Sequence, residues 1–351
     1  MAATKRKPRS GGRKRSRSGF RRLALLTAFA LAGASALTCA ISVWFVHHPR
    51  TWLEGKRAAW PGILYQPLSA IGNSVGDLTD ALALTGHDVV YEYDEEAPSG
   101  AVLFAGLPRR IGSPAPNDIV VLDRGEFKIG WSPTLRHPVW CAYHVKAEAS
   151  HGFEGKRPNF RRDTSAGRAP KPGEYSSSGY DRGHLAPNYA IMTRYGESAQ
   201  RKTFLTSNIA PQSPALNRTV WRNLEHRIAE FWTARYGEIW VVVGCYSAVD
   251  ANEVIAGTGI DVPENFYMVI AAQEGLDIRV LAVDVPQSVD WHDYAARYLT
   301  TIDRLEEKTG LDFLCELPEF IQSPLESDLP SRLWPIRARD LFKLLALRYD
   351  N

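Results

Sequence analysis

Hydrophobic positions in this chain follow two periods. Between residues 101 and 290 the apolar runs are short and bounded by Gly, Pro, Asp or Asn, which is the pattern of strands. IVVLDRGEFKIGW (119–131) places two such runs around Asp123-Arg124-Gly125 and predicts a hairpin with Gly at the turn. VWCAYHV (139–145) predicts another strand, and TFLTSNIAP (203–211) a short strand running into a turn. EIWVVVG (238–244) is nearly unbroken and predicts a buried central strand. FYMVIAAQ and DIRVLAVDV form a further pair around Glu274-Gly275. Helical spacing predicts a helix over 214–235, a second over 291–310 closed by Gly310, a C-terminal one near 337–348 and a short one near 67–84. Residues 150–180, polar and rich in Gly, Pro and Ser, read as a long loop. Strands outnumber helices, so the class is α+β.

The helix at 214–235 carries a misplaced polar residue. Ser213-Pro214 is a strong start, with Ser as cap and Pro in the first turn. With Asn217 at zero on the helical wheel, Trp221, Leu224, Ile228, Phe231 and Trp232 fall at about 40°, 340°, 20°, 320° and 60°. Asn217 therefore sits inside the apolar stripe, with Glu225 at its edge, about 12 Å further along the axis. A buried amide needs partners or costs about 1–3 kcal/mol. One reading is a structural Asn bonded to nearby backbone, beside a solvated Glu. The other is a hard oxygen ligand for Mg²⁺, with Glu225 supporting it from beyond direct contact.

Charge is distributed unevenly. Of 42 Lys and Arg, ten lie in residues 1–22 with no acid among them; the other 32 face 39 acidic residues, about −7 in all. A protein that coats nucleic acid through global positive charge is thereby excluded. Residues 23–46 contain no charge and, as a helix, would reach about 36 Å, enough for a bilayer core of about 30 Å. The expectation is a basic cytoplasmic tail (1–22), a signal-anchor transmembrane helix (23–46) in the lipid bilayer, and a stalk (47–100). The domain at 101–320 would then be extracytoplasmic, periplasmic or at the cell surface, or in the mitochondrial inner membrane of a eukaryote. Cleavage among the small residues Ala32 to Ala40 is the alternative. Residues 321–351 read as a C-terminal tail. Four Cys are too few for a disulfide scaffold; a Cys141–Cys245 bond is conceivable in an oxidising compartment.

Asp181-Arg182-Gly183-His184 follows the polar loop. His has the side chain whose ordinary pKa suits a general base near neutrality. Arg182, two residues back in an extended segment, lies on the same side and offers a fork to phosphate. Gly183 permits close backbone approach. A satisfied structural His, the reading assigned to His144 and His226, is the alternative, and Asp181 could simply cap a turn.

These motifs together resemble the sugar-nonspecific DNA/RNA endonucleases with a ββα-metal (His-Me) finger, of the endonuclease G type. The resemblance covers about residues 101–320 and rests on HPVWCAYHV, GYDRGHLAPN, TFLTSNIAPQSPALNRTVWRNLE, IWVVVG, VPENFYMVI and TGLDFL, in family order. It implies a central, mainly antiparallel sheet flanked by helices, with His on a strand and the metal Asn on a crossing helix. It implies His184 as general base, Asn217 as direct ligand of Mg²⁺ (or Mn²⁺), and Glu225 as outer-sphere acid. It further implies Arg182, with Asp181 and Asn208, at the substrate. The implied partners are DNA and RNA, with a possible homodimer and no nucleotide cofactor. The chain has Gly244-Cys245 where such proteins commonly have Gly-Pro. The basic tract Lys156, Arg157, Arg161, Arg162, Arg168, Lys171 could guide a phosphodiester strand or be an ordinary solvated loop. A catalytically weak nucleic-acid- or protein-binding module on the same fold is the competing function.

Overall fold

The computed structural model of the protein describes residues 78, 80–83, 86–92, 103–152, 157–248, 253–340 and 343–344. The expected basic tail and transmembrane helix lie outside these residues, as does most of the expected helix near 67–84. Among the described residues no helix is long and apolar enough to cross a membrane.

The strands, in chain order, are β1 (Val89–Glu92), β2 (Arg109–Arg110), β3 (Val120–Asp123), β4 (Phe127–Ser132), β5 (His137–Val145), β6 (Asp181–His184) and β7 (Ile209–Gln212). They continue with β8 (Ile239–Tyr246), β9 (Val254–Ile255), β10 (Ile260–Asp261), β11 (Asn265–Glu274), β12 (Asp277–Pro286), β13 (Leu299–Thr300) and β14 (Leu311–Asp312). The main sheet runs β1-β12-β11-β8-β5-β4-β3, with β13 added to β12, and its ladders are antiparallel. The β3–β4 and β11–β12 hairpins turn at Gly125 and Gly275 as expected, both with positive φ.

Helices cover both faces. The helical run 214–236 (α2) packs Trp221, Leu224, Ile228, Phe231 and Trp232 against the side of the sheet that carries Ile129, Cys141, Tyr143 and Val243. Helices α3 (Ile302–Thr309) and α4 (Glu319–Ser327) pack Ile302, Leu305, Ile321 and Leu325 against the other, which carries Trp140, Trp240 and Val269. Because both faces are covered, all nine residues of β5 are buried, and the apolar run of β8 has no polar alternation. Each large side chain sealed between the layers contributes about 1.5–3 kcal/mol.

Four expectations change. Residues 47–100 are not all stalk: Val89–Glu92 pairs with β12 as an edge strand, because an exposed edge is satisfied by any compatible neighbouring chain. The described part of residues 321–351 is not a tail. Leu333, Trp334 and Ile336 are buried in the core, and Trp232 Nε1 donates to the Trp334 carbonyl at 2.9 Å. The helix expected over 291–310 exists only as α3. Thr301 caps it by accepting from Arg304 N, and Leu299–Thr300 are drawn into the sheet beside β12. A helix absent from the sequence reading, α1 (Asn188–Thr203), follows β6. It is interrupted at Gly196 (φ 82°) and buries Arg194, whose Nη1 donates to Thr193 Oγ1 and whose Nε donates to the Lys146 carbonyl. A broken helix with a charged residue inside lacks the clean period that reveals helices.

Candidate active site

β6 and β7 form a two-stranded antiparallel ladder apart from the main sheet, with Asp181 opposite Gln212 and His184 opposite Ile209. The helical run 214–236 starts two residues after β7. Ser213 caps it, its Oγ accepting from Leu216 N at 3.3 Å. Strand, strand and helix thus bring Asp181, Arg182, His184, Asn217 and Glu225 to one cleft of about 1020 Å³. Gly183 is required inside β6: a Cβ there would lie 2.4 Å from Gln212 Oε1 and 2.7 Å from Gln212 Cβ.

The helix is not uniformly α. Asn217–Trp221 and Arg227–Trp232 are π-helical turns between α-helical stretches. Bonding from i to i+5 winds more residues into each turn, so each residue advances by less than the α-helical angle. Across Asn217–Trp221 this carries Glu225 back from the edge of the apolar stripe toward the line of Asn217. Asn217 is accordingly half-buried at the cleft, not sealed within the stripe as the wheel predicts, while Leu216, Val220 and Trp221 fill the core.

Asp181 sets the orientation of Asn217. Its Oδ2 accepts from Asn217 Nδ2 at 2.9 Å, and both its oxygens accept from Arg218, at 2.8 Å from Nε and 2.7 Å from Nη2. A carboxylate only accepts, so the amide must turn its NH₂ to Asp181. Asn217 Oδ1 is then left without a partner among the described residues. Partial burial would make Asp181 less readily ionised, but these bonds outweigh it and hold its pKa below the usual carboxylate value. Asp181 lines the cleft and there fixes the orientation of Asn217.

His184 lines the cleft between the rings of Phe204 and Phe160, at 4.9 and 5.3 Å. Burial, reinforced by the nearby Arg157 guanidinium, lowers its pKa to about 3. The imidazole is neutral, and its buried Nε2 has no hydrogen-bond partner in the protein. Glu225 lies under the opposite influence: burial raises its pKa to about 8, with Arg157 pulling the other way. Arg157 thus acts on both groups, and its own guanidinium lies over the Phe204 ring at 5.4 Å. Arg182 lies over Phe160 at 4.9 Å. With Arg218 and Arg222 the lining holds four guanidinium groups against the carboxyl groups of Asp181 and Glu225.

Asn208 is placed differently from the expectation. It is fully buried, donating from Nδ2 to the Ala186 and Thr203 carbonyls and accepting at Oδ1 from Ala186 N, each at 2.9–3.0 Å. It ties the end of β6 to the segment before β7 and does not reach the substrate cleft. His226, read as structural, lines the cleft beside Tyr189. His144 is structural as expected, facing Glu238 at 3.3 Å and stacked on Trp240. Cys141, Cys245 and Cys315 are free thiols, so the conceivable Cys141–Cys245 bond is not formed. Arg218 and Arg222 escaped the sequence reading, although their i, i+4 spacing beside Asn217 puts both on one helix face.

The donor set fits a hard divalent cation: an unpartnered carboxamide oxygen, held by a second group and sharing a cleft with a carboxyl. The cleft thus combines a neutral imidazole, an unpartnered carboxamide oxygen and four guanidinium groups.

Comparison with known proteins agrees. A nuclease of Nostoc sp. is 29% identical over 222 residues, 60% of this chain and 78% of that protein. Human mitochondrial endonuclease G is 30% identical over 205 residues, 54% of this chain and 68% of that protein. The mitochondrial nuclease of Saccharomyces cerevisiae is 29% identical over 219 residues, 56% and 66% of the two chains. Among solved structures, endonuclease G in complex with its inhibitor EndoGI shares the fold, with a TM-score of 0.52 and 23% identity over 60% of this chain and 91% of that one. The sequence model of the DNA/RNA non-specific endonucleases, a family of metal-dependent nucleases, matches residues 109–320, and the chain belongs to that family.

Proposed function

We propose that the protein is a membrane-tethered, Mg²⁺-dependent endonuclease that hydrolyses phosphodiester bonds in both DNA and RNA. The observation that carries this reading is the grip of Asp181 on Asn217 Nδ2, which leaves Oδ1 open in the cleft that holds the unpartnered Nε2 of His184. Asn217 would hold Mg²⁺ (or Mn²⁺) directly, and Glu225 would support it without contact. An ion held there would supply positive charge against that developing on the phosphate in hydrolysis. His184 Nε2 takes the proton of the attacking water. Arg182 and Arg157 hold the phosphate and offset the charge that develops on it. These contacts fall on phosphate and not on base edges, so sequence preference is weak. By family analogy the product carries a 5′-phosphate, and two copies could pair as a homodimer. The basic segment 1–22 followed by the uncharged 23–46 supports a tether that puts the nuclease domain across the membrane from its N-terminus.

The test is incubation of the full chain in detergent with supercoiled plasmid and with RNA, with Mg²⁺, Mn²⁺ or excess EDTA, beside His184→Ala. Metal-dependent breakdown of both polymers, absent in the variant, is the expected result. A folded, Mg²⁺-supplied protein that cuts neither polymer refutes the reading.

A further inference from the structure

Of the seven tryptophans in the described residues, six are buried; Trp291 is 53% exposed. It stands on the lining of the cleft that holds His184, Asn217, Arg218 and Arg222. No ring contact or hydrogen bond of its side chain is formed with the described residues. An indole left bare on the wall of a phosphate-binding cleft requires a reason, because sealing it in the core would stabilise the fold.

The turn that presents Trp291 is clamped at both ends. On the near side, Gln287 is bonded to the start of the Asn217 helix. Its Oε1 accepts from Ser213 N at 2.7 Å, its carbonyl accepts from Ser213 Oγ at 2.7 Å, and its Nε2 donates to the Pro211 carbonyl at 2.8 Å. Val289 is buried beneath the turn. On the far side, Asp293 Oδ2 accepts from Asp290 N at 2.8 Å and from the Tyr298 hydroxyl at 2.6 Å, and Asp293 also pairs with Arg297. The apolar spacing of this segment suits a helix, yet the chain forms a pinned turn. The ordering cost of the turn is met in folding and not in binding, which makes a rigid aromatic surface efficient for stacking.

A nucleobase offers an indole its π-face only when it is unstacked from one neighbour. A base inside an intact duplex has both faces covered. We propose that Trp291 is a stacking platform for a base of the bound strand near the scissile phosphate, and that it biases the enzyme toward unpaired DNA or RNA. This rests on the nuclease reading above and adds the form of the substrate. The guanidinium groups hold the backbone whatever its strandedness; Trp291 engages only a base that can turn out of its stack.

The experiment compares full-length wild type, Trp291→Ala and Trp291→Phe on a single-stranded oligothymidylate, on the same strand in a duplex, and on an abasic strand of equal length. Trp291→Ala should raise KM for oligothymidylate on the order of tenfold or more. Its kcat should change little, and the rise should be several-fold smaller for the duplex and the abasic strand. Trp291→Phe should recover most of the loss. An equal rise on all three substrates, or none on any, overturns the proposal. If wild type cuts none of them, the nuclease reading falls. Trp291 is then decided by binding: oligothymidylate should quench wild-type fluorescence more than that of Trp291→Phe, and equal quenching overturns the platform.

Discussion

Two buried histidines stand at strand ends in this protein and are held in opposite charge states. His137 opens β5 with no exposure; its Nε2 faces Asp261 Oδ2 at 3.1 Å and its Nδ1 faces the Pro138 carbonyl at 2.9 Å. Both oxygens only accept, so both ring nitrogens carry protons. Burial opposes that charge, but interactions with Cys245 and Asp261 outweigh it and hold the pKa up to about 10. His184 closes β6 with nearly the same burial, no carboxylate partner and a pKa of about 3. Cys245 and Asp261 separate a histidine that pins a hairpin to the sheet from one that is free to take a proton. Both ring nitrogens of His137 face acceptors, whereas the buried Nε2 of His184 is left open at a cost in stability.

That contrast can be broken most directly at His184. His184→Ala should lower cleavage about 10²–10⁴-fold, the usual contribution of a general base, while the thermal midpoint is kept or raised. A variant that unfolds instead would make His184 a structural residue like His137. The reciprocal change, His137→Ala, should cost about 3 kcal/mol, because Asp261 is left without its partner, and chemical denaturation measures this. Cleavage per folded molecule should stay within about twofold. Asp181→Ala extends the comparison to the carboxylate that holds Asn217. It removes the acceptor that orients Asn217 and releases Arg218, and calorimetric titration should show Mg²⁺ or Mn²⁺ bound about 10–100-fold more weakly.

The smallest effect is on pH dependence. The folded pKa of His137 is raised, so its stabilisation is complete below about pH 6.5 and is lost as pH rises through about 10. His184 has a lowered folded pKa, so stability is complete above about pH 6.5 and declines as pH falls toward about 3. Urea midpoints across this range should show a flatter alkaline limb for Asp261→Asn and a flatter acid limb for His184→Ala. Parallel curves for all three proteins would remove the electrostatic basis of the contrast.

Much of the site was legible because its chemistry is local. Arg182 and His184 share one strand, and their spacing predicts one side. Ser213-Pro214 announces the helix, and Asn217 stands out against its apolar neighbours. What escaped detection depends on partners distant in the chain. Asn208 cannot be separated from a cleft residue until its amide is seen to bond Ala186 and Thr203. His226 looks like any helical His until the cleft forms beside it. The π-turn that aligns Glu225 with Asn217 has no mark in an α-helical wheel. Residues 291–298 have helical spacing, yet Asp293 bonded to Asp290 N and Tyr298, and Gln287 just before them bonded to Ser213 and Pro211, hold them otherwise.

The sequence by itself determined the strand order of the hairpins, the helix start at Ser213, the His184–Asn217 pairing through family motifs, and the charge asymmetry of the N-terminus. Each is written in neighbouring residues, through periodicity, capping and turn chemistry. Only the tertiary structure decided that Val89–Glu92 and Leu333–Ile336 belong to the domain, that Asp181 holds Asn217, and which buried histidine is charged. Those outcomes depend on edge pairing, burial and the reach of Asp181, Asp261 and Cys245, which are set by segments brought together across the chain and by no residue alone.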